Sequence, residues 1–438
     1  MARAGLALPF LVDLPRVKAL IAGSAAQALG RPVKFASVSL SLLPLPAVEL
    51  RGLEVAEDPA FGTAPFLKLD TGRLRLRLRP LLGGRVEFRE VTLSAPRIAL
   101  VQRADGRWNV ASLGAAPEAR GTARAPRAGG GSGAPGGGAP LLAARVSIQH
   151  GVVTYAPGAP GPAGSWRLED LNLTLADGGA GSLAVAGTLR VMPGDLAVTI
   201  TDGRIGGLNG GHGLLDAPLA ARVSLDGRDV APLVAALAGP APAIAGPVKG
   251  TLTVSGTLGA PRATGTLALA TVRLTRRSAA CPEPQQRTLA LTGLTLAPAW
   301  QDGRLTARPV TAGLGGGTIA THVTVTLARG ARVDARVELK DLAIRALPVE
   351  RVLVDFLCQG YAVAGPLDLT GALAFGAADP WNTLSGPGQL RIGPGRVVGA
   401  QALKLMDGVV RVGGAVSALL GADLPVALFV SPLEFDSI

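Results

Sequence analysis

The chain has 438 residues, 48% of them hydrophobic and 17% charged, with a net charge of +12. So much apolar matter excludes a disordered chain, and the length suffices for two or three domains. Only six of the 43 basic residues are lysine, and aromatics make up 3%, too few to give a basic groove the stacking platforms of a single-strand binder, so nucleic acid is not expected as a partner.

An apolar run within residues 4–12 is broken by Pro9 and too short to span a bilayer. Asp13 then caps an amphipathic helix with Pro15 in its first turn, Val17, Leu20, Ile21 and Leu29 at apolar positions, and Gly30 as its stop. From Arg31 the period becomes two. Val38, Leu40 and Leu42 alternate with Ser37, Ser39 and Ser41, and the stretch GRLRLRLR at 72–79 sets Leu74, Leu76 and Leu78 against four arginines. Residues 115–140, rich in Gly, Ala and Pro, have neither the leading strand nor the following Lys-Ser/Thr of a phosphate loop, and read as a flexible linker.

Beyond the linker the same alternation returns at 171–175, 250–258 and 321–327, and again where Val333, Ala335, Val337 and Leu339 alternate with charged residues. Glycine and proline at roughly ten-residue intervals predict turns between short antiparallel strands. Helical patterns are confined to 229–238, 348–357 and 399–407. The segments 183–191, 252–270 and 368–392 repeat one form, an apolar strand, a small residue with Gly, a turn with Pro, and another strand. Loose repetition of this kind predicts growth along one direction, each strand pair burying its apolar face against neighbours.

The polar chemistry is sparse. His150, His212 and His322 stand apart from other ligand-type residues, and Cys281 and Cys358 form no CxxC, so no metal, cofactor or catalytic site is indicated and no enzymatic activity is expected. Whether the two cysteines pair is left open by the sequence.

Residues 31–113 carry an ordered set of signals: Gly30, Arg31 and Pro32 after the helix, a Pro44 and Pro46 turn, EDPAFG at 57–62, Pro80 with Leu81 and Leu82, Pro96, and DGRWN at 105–109. This region resembles the N-terminal part of AsmA family proteins of Gram-negative envelopes. Residues 302–327 resemble the body repeats of AsmA and TamB relatives, and 386–408 the family's C-terminal region. The family usually has one transmembrane helix before a stretch like LALPFLVDLPRVKALI, of which only an apparent tail is present, and residues 432–438 resemble the opening of a further strand.

The resemblance implies a periplasmic, inner-membrane-associated protein, single-pass where the anchor is present, related to TamB and the chorein bridge proteins. The fold it implies is mainly β, an elongated, curved antiparallel sheet forming an apolar, taco-like groove, with a short N-terminal helix and a few others. The expected divisions are a tail and helix at 1–30, a β unit at 31–114, the linker at 115–140, and a groove body at 141–438 whose C-terminal region at 340–438 is incomplete. Leucines of alternating strands would line the groove for phospholipid acyl chains while arginines face water or headgroups. The lining expected from the alternation is Val38, Leu40, Leu42, Leu74, Leu76, Leu78, Leu252, Val254, Val333 and Val337. Expected partners are phospholipids, the inner membrane, and outer-membrane or envelope-assembly proteins. The alternative reading is a periplasmic scaffold that affects outer-membrane protein assembly without transporting lipid.

Overall fold

A computed structural model describes residues 22–23, 25–26, 29–41, 46–77, 88–103, 105–113, 145–157, 166–179, 181–207, 214–238, 243–279, 281–327, 335–358, 362–377, 379–398 and 434–435. Outside these lie most of the helix expected from Asp13, Leu42, Leu78 and Val333, the linker at 115–140, and the helix expected at 399–407. The protein is mainly β, and it forms two compact units. Unit 1 comprises Met1–Met192, Ala197–Val223 and Val254–Pro261; unit 2 comprises Pro193–Leu196, Ser224–Thr253 and Arg262–Ile438.

In unit 1, Ala22, Gly23, Ala25, Ala26 and Leu29 are helical, and Gly30, at φ 68°, ends the helix in the left-handed conformation that glycine adopts without strain. Strands β1 (Val33–Lys34), β2 (Ser37–Ser41), β3 (Ala47–Val55), β4 (Leu67–Leu76), β5 (Phe88–Ser94) and β6 (Arg97–Gln102) follow. Then come β7 (Arg145–Pro157), β8 (Trp166–Gly179), β9 (Ser182–Met192) and β10 (Leu196–Ile205). Most neighbours are antiparallel, but β7 runs parallel to β5 over Glu90–Ser94 and to β6 over Arg97–Gln102. The antiparallel expectation fails there because the chain makes a long return between β6 and β7, and only a long connection allows a parallel neighbour.

The strands are longer than the ten-residue turn spacing suggested. In unit 2, β14 (Pro261–Arg277) has 17 residues and β15 (Gln286–Gln301) has 16. The reason is that the chain bulges inside strands and continues. His150 in β7 and Asp170 in β8 hold φ of 52° and 48°. Register shifts accompany them between Ile148 and Gly151 and between Glu169 and Asn172. Bulges at matching levels on neighbouring strands bend the strands instead of ending them.

Unit 2 repeats this device. Before β14 come β11 (Leu219–Gly227) and β13 (Val248–Gly256), each with part of its length in unit 1, and between them the helix Ala231–Ala238 and β12 (Ala243–Ala245). After β15 come β16 (Arg304–Leu314), β17 (Gly317–Leu327), β18 (Ala335–Pro348), a helical turn at Arg351–Phe356, β19 (Ala362–Ala364), β20 (Pro366–Gly376) and β21 (Gly388–Ile392). Gly293, at φ 60°, opens a shift in β15, Arg308–Pro309 interrupts β16, and Asp341, at φ 50°, interrupts β18. A disulfide joins Cys281, between β14 and β15, to Cys358, just after the helical turn. A small sheet is formed by β19, β22 (Gly395–Val398) and β23 (Glu434–Phe435).

Candidate functional site

Strand register sets rows of apolar residues across each unit. In unit 1 the paired positions run Leu40, Val48, Leu74, Val91, Val146, Leu175 and Val185 across seven successive strands. Two residues along, the row reads Val38, Leu50, Gly72, Leu93, Ile148, Leu173 and Gly187. The intervening row, on the other face, reads Ser39, Glu49, Arg73, Thr92, Ser147, Thr174 and Ala186. Side chains alternate between faces, so register alone separates an aliphatic surface from a polar one. Leu74, Val91, Val146, Leu175 and Val185 are half-buried, whereas Val48 and Leu50 are buried.

The helix and the turns that follow it cover the β1 end of this face. Ala22, Ala25, Ala26 and Leu29 pack on Val33, Phe35, Val55 and Phe66. Beside them lies a buried polar cluster. The Arg31 guanidinium donates to Glu57 Oε1 at 2.9 Å, to Ser112 Oγ at 2.9 Å and to the Asn109 carbonyl oxygen. Asn109 Nδ2 donates to Glu57 Oε2 at 2.6 Å and to the Ala99 carbonyl oxygen at 2.8 Å, and its Oδ1 accepts from the Val101 amide. Asn109 is fully buried and Arg31 stacks over the Phe66 ring at 5.0 Å. These residues come from the Gly-Arg-Pro, EDPAFG and DGRWN signals. Next to Glu57, Asp58 accepts from the Ala60 amide, which holds its carboxyl below the usual carboxylate range. Trp108 stacks on Tyr155 at 5.3 Å, and burial pushes the Tyr155 hydroxyl pKa up.

In unit 2 the apolar rows are Trp300, Leu305, Val325, Val337 and Phe375, and Ala312, Ile319, Ile344, Leu369 and Leu390. A cavity of about 650 Å³ lies against Leu225, Leu267, Leu296 and Pro309, with Gly250 between them. Leu267 and Leu296 are paired across β14 and β15. Val230, Val248, Leu269 and Val272 form a buried cluster beside the cavity, with Val234 of the helix packed on it.

Of the residues expected to line a groove, Val38, Leu40 and Leu74 fall on the two apolar rows of unit 1, and Leu76 pairs with Phe88 one step further along β4. Leu252 and Val254 are half-buried and alternate with exposed Thr251, Thr253 and Ser255 on β13. Val337 lies in the unit 2 row between Val325 and Phe375. The alternation also marks Val48, Val91, Val146, Leu175 and Val185, which complete the unit 1 row. Local pattern gives no sign that Arg31, Glu57 and Asn109 meet.

Residues 1–161 match the sequence model of the AsmA family. Over that stretch the chain is similar to the AsmA family. The AsmA region thus takes in the helix, the buried cluster and β1 to β7. No curated protein matches the chain. Among the described residues no helix is long and apolar enough to cross a membrane, and no group of three or more His, Cys, Asp or Glu is placed to hold a metal ion.

Proposed function

We propose that this protein is a non-enzymatic envelope component that shelters phospholipid acyl chains on its apolar sheet face and assists lipid movement between the inner and outer membranes. The observation that carries this reading is the aliphatic register row running unbroken through seven strands of unit 1, with a polar row on the reverse face. Such a surface holds hydrocarbon at about 25 cal/mol per Å² removed from water and needs no polar contact to do so. It therefore suits chains of varied length and headgroup. Similarity to the AsmA family points to the envelope, and the Cys281–Cys358 disulfide suits an oxidising compartment such as the periplasm.

The test is mass spectrometry of an organic extract of the purified full chain, alongside its melting curve. Phospholipid recovered at one or more molecules per chain is the expected result. A folded, lipid-free protein that also fails to take lipid from vesicles would overturn the transport reading and favour an assembly scaffold.

A further inference from the structure

We infer that the helix Ala231–Ala238 is an end-stop on the apolar face of unit 2, and that the cavity beside it receives the end of a single acyl chain. The inference rests on the acyl-chain reading above and adds a position and a limit to it. Leu267 and Leu296 are the shared walls: they line the cavity on one side and pack on the other against the cluster that Val230, Val248, Leu269 and Val272 form under the helix. Val248 is buried where the helix covers β13, and two residues along, Gly250 already borders the cavity. The apolar surface is thus continuous beneath the helix but open only beside it. A volume of about 650 Å³ lies within the ~300–1,000 Å³ of ligand pockets.

The helix is held lightly. Asp229 Oδ1 accepts from the Ala231 amide at 3.0 Å and from the Gly246 amide at 2.9 Å, tying the first turn to the chain entering β13. Leu233 lies over Gly194, where an added Cβ would come within 2.7 Å of the leucine Cγ. No ion pair fastens the helix among the described residues, and its sequence, APLVAALA, carries no charge. Loss of the Asp229 contacts would leave the first turn tied only by the Val230 amide, which donates to the Gly246 carbonyl oxygen at 2.8 Å, and so loosen the helix over buried Leu269 and Val272.

The experiment supplies the full chain with vesicles of a phospholipid carrying a diazirine at the terminal carbon of a palmitoyl chain, then maps the photolabelled residues. In the wild type, label is expected on Leu225, Leu267 and Leu296, with buried Leu269 and Val272 spared. In Asp229→Ala, label on Leu269 and Val272 should rise about tenfold, the population change that loss of an ordinary helix cap produces. Equal labelling of Val272 and Leu267 in the wild type, or an unchanged pattern in a folded Asp229→Ala, would overturn the end-stop. Label on unit 1 alone would overturn the cavity assignment and leave acyl binding standing; absence of label everywhere would remove the acyl-binding reading itself. Should Asp229→Ala fail to fold, Leu225→Trp decides instead. It narrows the cavity from the β11 wall, and labelling of Leu267 and Leu296 should drop severalfold if a chain end sits there, since displacing even one or two buried methylenes has that effect; undiminished label overturns the assignment.

Discussion

Each unit sets a helix on its own apolar face, and the two are fastened in opposite ways. In unit 1 the segment after the helix is locked by a charged cluster in which the side chains of Arg31 and Glu57 are each 4% exposed and Asn109 closes the ring of hydrogen bonds. In unit 2 the helix Ala231–Ala238 rests on aliphatic contacts, one carboxylate, and a backbone bond from the Val230 amide to the Gly246 carbonyl oxygen. Removing one partner of a buried ion pair strands the other in a dry interior, so such a lock opens only when the region unfolds. Aliphatic contacts with two amide hydrogen bonds release far more cheaply. The difference teaches that closure of the β1 end is permanent architecture, while the covering of unit 2 is graded and movable.

The largest effect expected from breaking that contrast is at Glu57. Glu57→Ala leaves the Arg31 guanidinium buried beside Phe66 and removes the acceptor of Asn109 Nδ2, and should destabilise unit 1 by about 3–5 kcal/mol. Thermal or denaturant unfolding measures it. A loss under about 1 kcal/mol would mean that water reaches Arg31, and the lock would be an ordinary surface pair.

Unit 2 also has a covalent fastening, outside its helix. Cys281 and Cys358 are 77 residues apart, and closing a loop of that size restricts the unfolded chain by up to about 4 kcal/mol. The double Cys281→Ser, Cys358→Ser variant should therefore lower the melting point of unit 2 and leave the unit 1 transition in place. Hydrogen exchange resolved by peptide separates the two. Equal loss of protection in β3 and β4 would show that the units do not unfold independently.

How far this architecture could be read from the sequence depends on the range of the interactions. The alternation of Leu74 and Leu76 with Arg73 and Arg75 assigns strand and face directly, because period two is a local property. Glycine and aspartate at Gly293, Asp170 and Asp341 give the same local signal whether the chain turns back or bulges and continues, so strand length was not legible. What decides is whether a neighbouring strand keeps pairing on both sides, as β9 does with β8 around Asp170. The Arg31 cluster joins residues 26, 52 and 78 apart in sequence. Its parts were visible only as signals of family resemblance, and nothing in their spacing brings them together.

A smaller effect on stability, with a large one on ligand, is expected on the unit 1 row. Leu74 is half-buried between Val48 and Val91. On a face that holds lipid, Leu74→Asp should cost about 1–2 kcal/mol of stability, near the worth of a partly buried leucine, because water can hydrate the carboxylate. Copurifying phospholipid should fall severalfold. Collapse of the fold would instead show that the row is a closed core, and undiminished lipid in a folded variant would take Leu74 off the binding face.

The smallest effect concerns the bulge seam. His150 Nδ1 lies 2.8 Å from Asp170 Oδ1, and the same carboxyl oxygen accepts from Asn172 Nδ2 at 3.0 Å, with both His150 and Asp170 in left-handed backbone. The hydrogen bond from His150, followed by that from Asn172, holds the Asp170 carboxyl below the usual range. A depressed folded pKa means that the contribution is present above the unfolded value, about 3.9, and is lost as pH falls through the lower folded value. Carboxyl NMR titration should show Asp170 ionising below the usual carboxylate range, and His150→Ala should move it up toward that range. Unit 2 supplies the control, since His322 Nδ1 and Asp341 Oδ2, 3.0 Å apart, repeat the pair on β17 and β18. His322→Ala should leave Asp170 unmoved. If Asp170 titrates normally with His150 in place, the pair plays no part in holding the bulge, and the seam depends on backbone pairing alone.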